Sequence, residues 1–135
     1  MRLKRLLATP LLLLLACKPP TPAEQMASVL SWLGTAGMAG DAWLRHTTPD
    51  RYTRETLELS HQTLVQISDE LLKSPVPGVD TAVLDSVLTR GRGRIAQMAR
   101  FVEAKDSPSF AIALDSLRAD QKMVKQLSDS VDARQ

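Results

Sequence analysis

The chain has 135 residues, 44% of them apolar and only 4% aromatic, with 17 basic against 15 acidic residues and one cysteine. That length supports one domain with a substantial core, its abundant Ala and Leu suit helices better than strands, and a lone cysteine excludes an intrachain disulfide. The formal charge of +2 belongs to the N-terminus: without Arg2, Lys4 and Arg5 the balance is 14 basic to 15 acidic, which gives no basis for a nucleic-acid partner.

Arg2, Lys4 and Arg5 make a positive start, and Leu6 to Ala16 follows as an apolar stretch of eleven residues broken only by Thr9 and Pro10. A mature membrane span needs about 20 apolar residues, so the stretch is too short for one; it has the form of an export signal. It ends in Leu14-Leu15-Ala16-Cys17. This resembles the lipobox of bacterial lipoproteins, with leucine at −3, a small residue at −1 and then the cysteine; Leu15 departs mildly from the usual alanine or serine. The resemblance covers the first 17 residues and implies a cleaved signal at 1–16, diacylglyceryl and further acyl groups such as palmitate on Cys17, and a membrane partner reached through the lipid. Two or three acyl chains anchor stably at about 0.8 kcal/mol per buried methylene. Lys18 at the next position, where enteric bacteria use aspartate for inner-membrane retention, implies an outer-membrane, periplasm-facing location. Residues 17–21 then form a tether of about four residues, which would hold the domain within roughly 15 Å of the bilayer at about 3.1 Å per residue.

Residues 22–135 predict an all-α, up-down-up-down four-helix bundle. Thr21-Pro22-Ala23-Glu24 is a helix start: a hydroxyl cap, proline in the first turn and glutamate three residues after the cap. Thr48-Pro49-Asp50 and Ser107-Pro108 repeat the pattern, and Asp80 caps a helix after the Ser74-Pro75-Val76-Pro77-Gly78 turn. The helices expected are 22–46, 49–73, 80–106 and 108–132. Each is about 25 residues, or roughly 37 Å, and equal lengths with short connections favour antiparallel neighbours. The apolar faces are Met26, Val29, Leu30, Leu33, Gly37, Gly40 and Leu44; Leu57, Leu64, Ile67 and Leu71; Leu84, Val87, Leu88, Gly91, Ile95, Met98 and Val102; and Phe110, Ala113, Leu114, Leu117, Val124 and Val131. Gly34, Gly37 and Gly40 in the first helix and Gly91 and Gly93 in the third each cost about 1 kcal/mol of helix propensity against alanine. They indicate close packing or a break.

Four sets of residues raise chemical questions. Glu58 and His61 form a Glu-x-x-His pair, half of a ferritin-like di-iron signature. The second half is missing, because His46 has no carboxylate three residues before it; they are weak metal candidates and no metal is assigned. Haem is tested next: there is no Cys-x-x-Cys-His, a Met/His pair would draw on Met26 or Met38, and helix four has no histidine. No cofactor is expected. Arg90, Arg92 and Arg94 alternate with glycines as in nucleic-acid-binding segments. In an exported protein they are either solvated flank residues or contacts for anionic lipid or lipopolysaccharide phosphates. Trp32 and Trp43 lie three turns apart with Ala36 and Ala39 between them. This second stripe is either a wide buried face or a surface for a partner or the membrane interface.

No serine–histidine–acid set, phosphate loop or zinc spacing is present, so no enzyme activity is expected. The expectation is a membrane-anchored envelope lipoprotein whose helical bundle binds or scaffolds, with an envelope protein or a second copy as partner. The alternative is a metal- or cofactor-binding bundle with a redox or sensing role.

Overall fold

The computed structural model of the chain describes residues 18–132. The expected signal segment, with its expected cleavage residue Ala16, and Cys17, where lipidation is expected, lie outside these, as do residues 133–135. Four helices follow in order: α1 (Pro22–Leu44), α2 (Asp50–Leu71), α3 (Thr81–Glu103) and α4 (Ser107–Asp132). Each packs on its neighbours around a ring, α1 on α2, α2 on α3, α3 on α4 and α4 on α1, so the chain runs up, down, up and down. None of these helices is long and apolar enough to cross a membrane.

The caps explain where the helices begin. Thr21 Oγ1 accepts from the Glu24 amide at 3.2 Å, and Asp80 Oδ1 accepts from Ala82 and Val83. The last helix starts one residue earlier than expected. Asp106 accepts the Ser109 amide at 3.2 Å, leaving Ser107 and Pro108 in the first turn. A carboxylate holds its charge at a helix N-terminus, and these hydrogen bonds lower the Asp106 pKa. In α2, Pro49 takes the cap position without a side-chain bond, and Thr48 meets the Thr53 hydroxyl at 3.0 Å instead.

Two helices end in the same way. His46 and Lys105 adopt positive φ of 58° and 55°. Around them, His46 N donates to Trp43 O and Thr47 N to Ala42 O, while Lys105 N donates to Val102 O and Asp106 N to Phe101 O. This double bond is the Schellman closure, which reverses the chain within two residues and satisfies the last carbonyls of the helix.

All seven residues expected on α3's apolar face are buried, as are all six on α4. On α2, Leu57, Leu64 and Leu71 are buried together with Thr53, Ser60 and Ser68, and Ile67 is at the margin. The Ser60 hydroxyl donates to the Thr56 carbonyl at 2.8 Å, so a polar residue enters the core already satisfied. On α1, Met26, Val29, Leu33, Gly37 and Gly40 are buried as expected, and the buried face is wider than these. Ala36, Ala39 and Trp43 are buried, and Leu30 and Leu44 are half-buried.

Both glycine-bearing helices are continuous. A Cβ on Gly40 would lie 3.1 Å from Met98 Cε and 3.2 Å from both Leu114 Cδ1 and Phe110 Cε1; one on Gly91 would lie 3.3 Å from Leu33 Cδ2. These two glycines let α1 and α3 approach across the bundle diagonal, where they touch. Gly37 and Gly93 have no such neighbour within 4 Å. Opposite results are therefore expected in urea unfolding. Gly93→Ala gains the helix-propensity difference of about 1 kcal/mol. Gly40→Ala loses stability, because three buried side chains must move and such overpacking costs about 1–3 kcal/mol. Stabilisation by both would show that the Gly40 contact is loose.

Candidate functional site

The tryptophan stripe divides. Trp43 is a core residue, 7% exposed, with its ring centroid 4.6 Å from that of Phe110 and its indole N–H donating to Asp50 Oδ1 at 2.8 Å. It is therefore not the surface that the sequence allowed for it. A ring buried against Phe110 with its one donor satisfied has nothing to offer a partner. Trp32 is half-buried and packs on the edge of the core.

Arg90 and Arg94 converge on one buried carboxylate. Asp120 lies in the apolar stripe of α4 at 5% exposure, with Arg90 Nε 3.6 Å from Oδ1 and Arg94 Nε 3.8 Å from Oδ2. Both separations exceed hydrogen-bond length, and Asp120 Oδ2 and Arg94 Nε have no hydrogen-bond partner. The arginines supply charge without the hydrogen bonds that compensate desolvation. Burial accordingly raises the Asp120 pKa, with Arg90 and Arg94 opposing it. Arg92 points to the other flank, 3.9 Å from Asp69 of α2. The three arginines thus face two acids on two different helices rather than one shared surface: Arg90 and Arg94 join α3 to α4, and Arg92 joins α3 to α2.

A pH dependence follows. With its pKa raised, the folded chain holds the Asp120 proton more tightly than the unfolded chain does. The stability this adds is fully present below the ordinary value of 3.8. It is lost as pH rises through the folded-state pKa. Between those points the wild type is expected to lose stability relative to Asp120→Asn as pH rises, in urea unfolding curves taken at a series of pH values. Parallel curves would contradict the burial account.

Glu58 and His61 line a cleft of about 320 Å³ between α2 and α3, together with Arg54, Gln62, Arg100 and Glu103. Glu58 lies 3.8 Å from Arg54 in an exposed pair. No group of three or more His, Cys, Asp or Glu placed to hold a metal ion occurs among the described residues. His46 is at the α1 terminus, Met26 is fully buried in the core and Met38 is 69% exposed.

The largest concave surface is a furrow along α1 and α4. Its lower part, of about 890 Å³, is formed by Ala27, Leu30 and Ser31 against Arg118, Gln121, Lys122, Lys125 and Gln126. It continues past Gly34, Gly37 and Met38 to Asp41. The floor is apolar or small, and the α4 rim carries three cations at positions 118, 122 and 125, which share one helix face. Arg118 Nη2 donates to Asp41 Oδ2 across the upper part, Lys125 pairs with Asp129 at 2.6 Å, and Lys122 makes no ion pair among the described residues. Sequence reasoning passed over this furrow. Its signals are the small residues Ala27, Ser31 and Gly34 at helical spacing and the basic stripe of α4, each ordinary alone and informative only once α1 and α4 are neighbours. The chain has no match among protein-family models, curated proteins or solved structures.

Proposed function

We propose that this chain is a lipid-tethered bacterial envelope protein, facing the periplasm from the outer membrane, whose helical bundle acts by binding a partner rather than by catalysis. The observation that carries the binding role is the α1–α4 furrow, an open apolar floor beneath a basic rim. The tether reading rests on Leu14-Leu15-Ala16-Cys17 and on the exposed Lys18-Pro19-Pro20 that follows. Pro19 and Pro20 lie against the α2 side of α1, near Gln25 and Glu70, and not among the residues that line the furrow.

The test is fractionation of a bacterial host expressing the full chain. The wild type is expected in the membrane pellet after a high-salt and alkaline wash, and Cys17→Ala in the soluble fraction or uncleaved. Equal release of both by the wash would count against the lipid tether.

A further inference from the structure

We infer that the bundle stands on the lipid bilayer on the end that carries its α2–α3 connection, with the uncharged turn at residues 74–79 and Val83 in the headgroup layer. The inference rests on the lipid tether proposed above and adds to it a contact surface and an orientation. In an up-down-up-down bundle, α1 starts, α2 ends, α3 starts and α4 ends at one end. The tether leaves from that end, where Pro19 and Pro20 share a groove with Ser74, Pro75 and Val76. Cys17 stands two residues before Pro19, so a lipid on it is attached within about 7 Å of that proline, at about 3.3–3.6 Å per residue. The opposite end is about 35 Å away, the length of the 23 residues of α1.

The two ends differ in chemistry. The far connections carry Arg45 and His46 in one and Lys105 and Asp106 in the other. The near one has no charged residue from Ser74 to Val79. Pro77 and Gly78, with φ of 81° at the glycine, form a type II turn closed by Val79 N donating to Val76 O at 3.2 Å. Val76 is buried and pins the turn to the core, which leaves Pro75 and Pro77 exposed at its tip. Val83, in the first turn of α3, is 42% exposed beside it. Such a surface enters a headgroup layer without desolvating a charge. Charge does not supply the attraction. Lys73 pairs with Glu70 and Lys125 with Asp129, and Glu24 and Asp80 offset Lys18. The acyl chains hold the end at the bilayer, and the uncharged turn fits it there.

The test uses the lipidated chain extracted from bacterial membranes and placed in phosphatidylcholine vesicles. Lipidation occupies Cys17, so a single added cysteine takes an environment-sensitive fluorophore at Pro77→Cys, Val83→Cys or, at the far end, Ile112→Cys. Circular dichroism confirms that each variant is folded. With a nitroxide on the lipid headgroup, the labels at 77 and 83 are expected to lose most of their emission and the label at 112 to keep it, at low and high salt alike. Adding Pro75→Asp to the Val83→Cys chain should restore the emission while the protein stays with the vesicles. Quenching at 77 and 83 no greater than at 112, in protein whose mass shows the lipid, overturns the inference and leaves the tether standing. Protein without lipid overturns both. Quenching that requires anionic lipid, or a dimer in detergent that shields the 77 and 83 labels, assigns this end to a charged surface or to a second copy and also overturns it.

Discussion

Phe110→Ala is expected to destabilise the bundle by about 3–5 kcal/mol, the range for removing a buried aromatic ring. Phe110 is fully buried and lies where α1, α3 and α4 meet. Its ring packs on Trp43 with the planes at 52°, and its Cε1 closes over Gly40. Because Gly40 and Trp43 stand on a continuous helix, α1 cannot collapse locally into the space the ring leaves, so both the transfer term and the cavity term apply. A domain of this size is stable by about 5–15 kcal/mol in all, so the loss is a large part of the total. Urea unfolding followed by circular dichroism measures it. Ile112→Ala, two residues away on the opposite face of α4 and 71% exposed, should stay within about 0.5 kcal/mol of the wild type. A similar small effect for Phe110 would mean that the Trp43–Phe110 contact is not a core contact.

Replacing His46 and Lys105 together by glycine is expected to stabilise the chain by about 2 kcal/mol. Each residue holds a left-handed backbone that costs an L side chain about 1–2 kcal/mol. Glycine removes that cost but adds backbone freedom to the unfolded chain, taking back about 0.4–1 kcal/mol. The net gain is about 1 kcal/mol per site, and the two should add because they close different helices with no shared partner. For a domain of this length, that corresponds to a rise of about 8 °C in Tm. Glycine was not required by the fold here, since the Schellman closures form without it, but it is the residue those closures favour. An unchanged or lower Tm would show that the His46 and Lys105 side chains contribute more than their backbone conformations cost.

The bundle was legible because most of its determinants are local. The apolar faces of α3 and α4 follow a 3.6-residue period and are buried as that period requires. Thr21 and Asp80 cap by side-chain chemistry that depends on neighbours two or three residues away. What was not legible depends on which helices become neighbours. Thr53, Ser60 and Ser68 belong to the core of α2 although hydropathy places them outside it; for Ser60, the bond to its own helix removes the polar penalty. The sequence left open whether Trp43 is buried or on the surface; it is buried because Phe110, 67 residues further along, supplies the surface it packs on. Asp120 gave no sign of meeting Arg90 and Arg94, since a lone aspartate in an apolar stripe acquires partners only across a helix interface. The furrow escaped notice for the same reason: its two walls are the first and last helices.

The lipid anchor is the claim on which location, orientation and partner class all depend. The most direct measurement is mass spectrometry of the N-terminal peptide from protein extracted from bacterial membranes. The account predicts a chain that begins at Cys17 and carries a diacylglyceryl group, with or without a further amide-linked acyl chain. A chain that retains residues 1–16, or one that begins elsewhere with an unmodified Cys17, would contradict it.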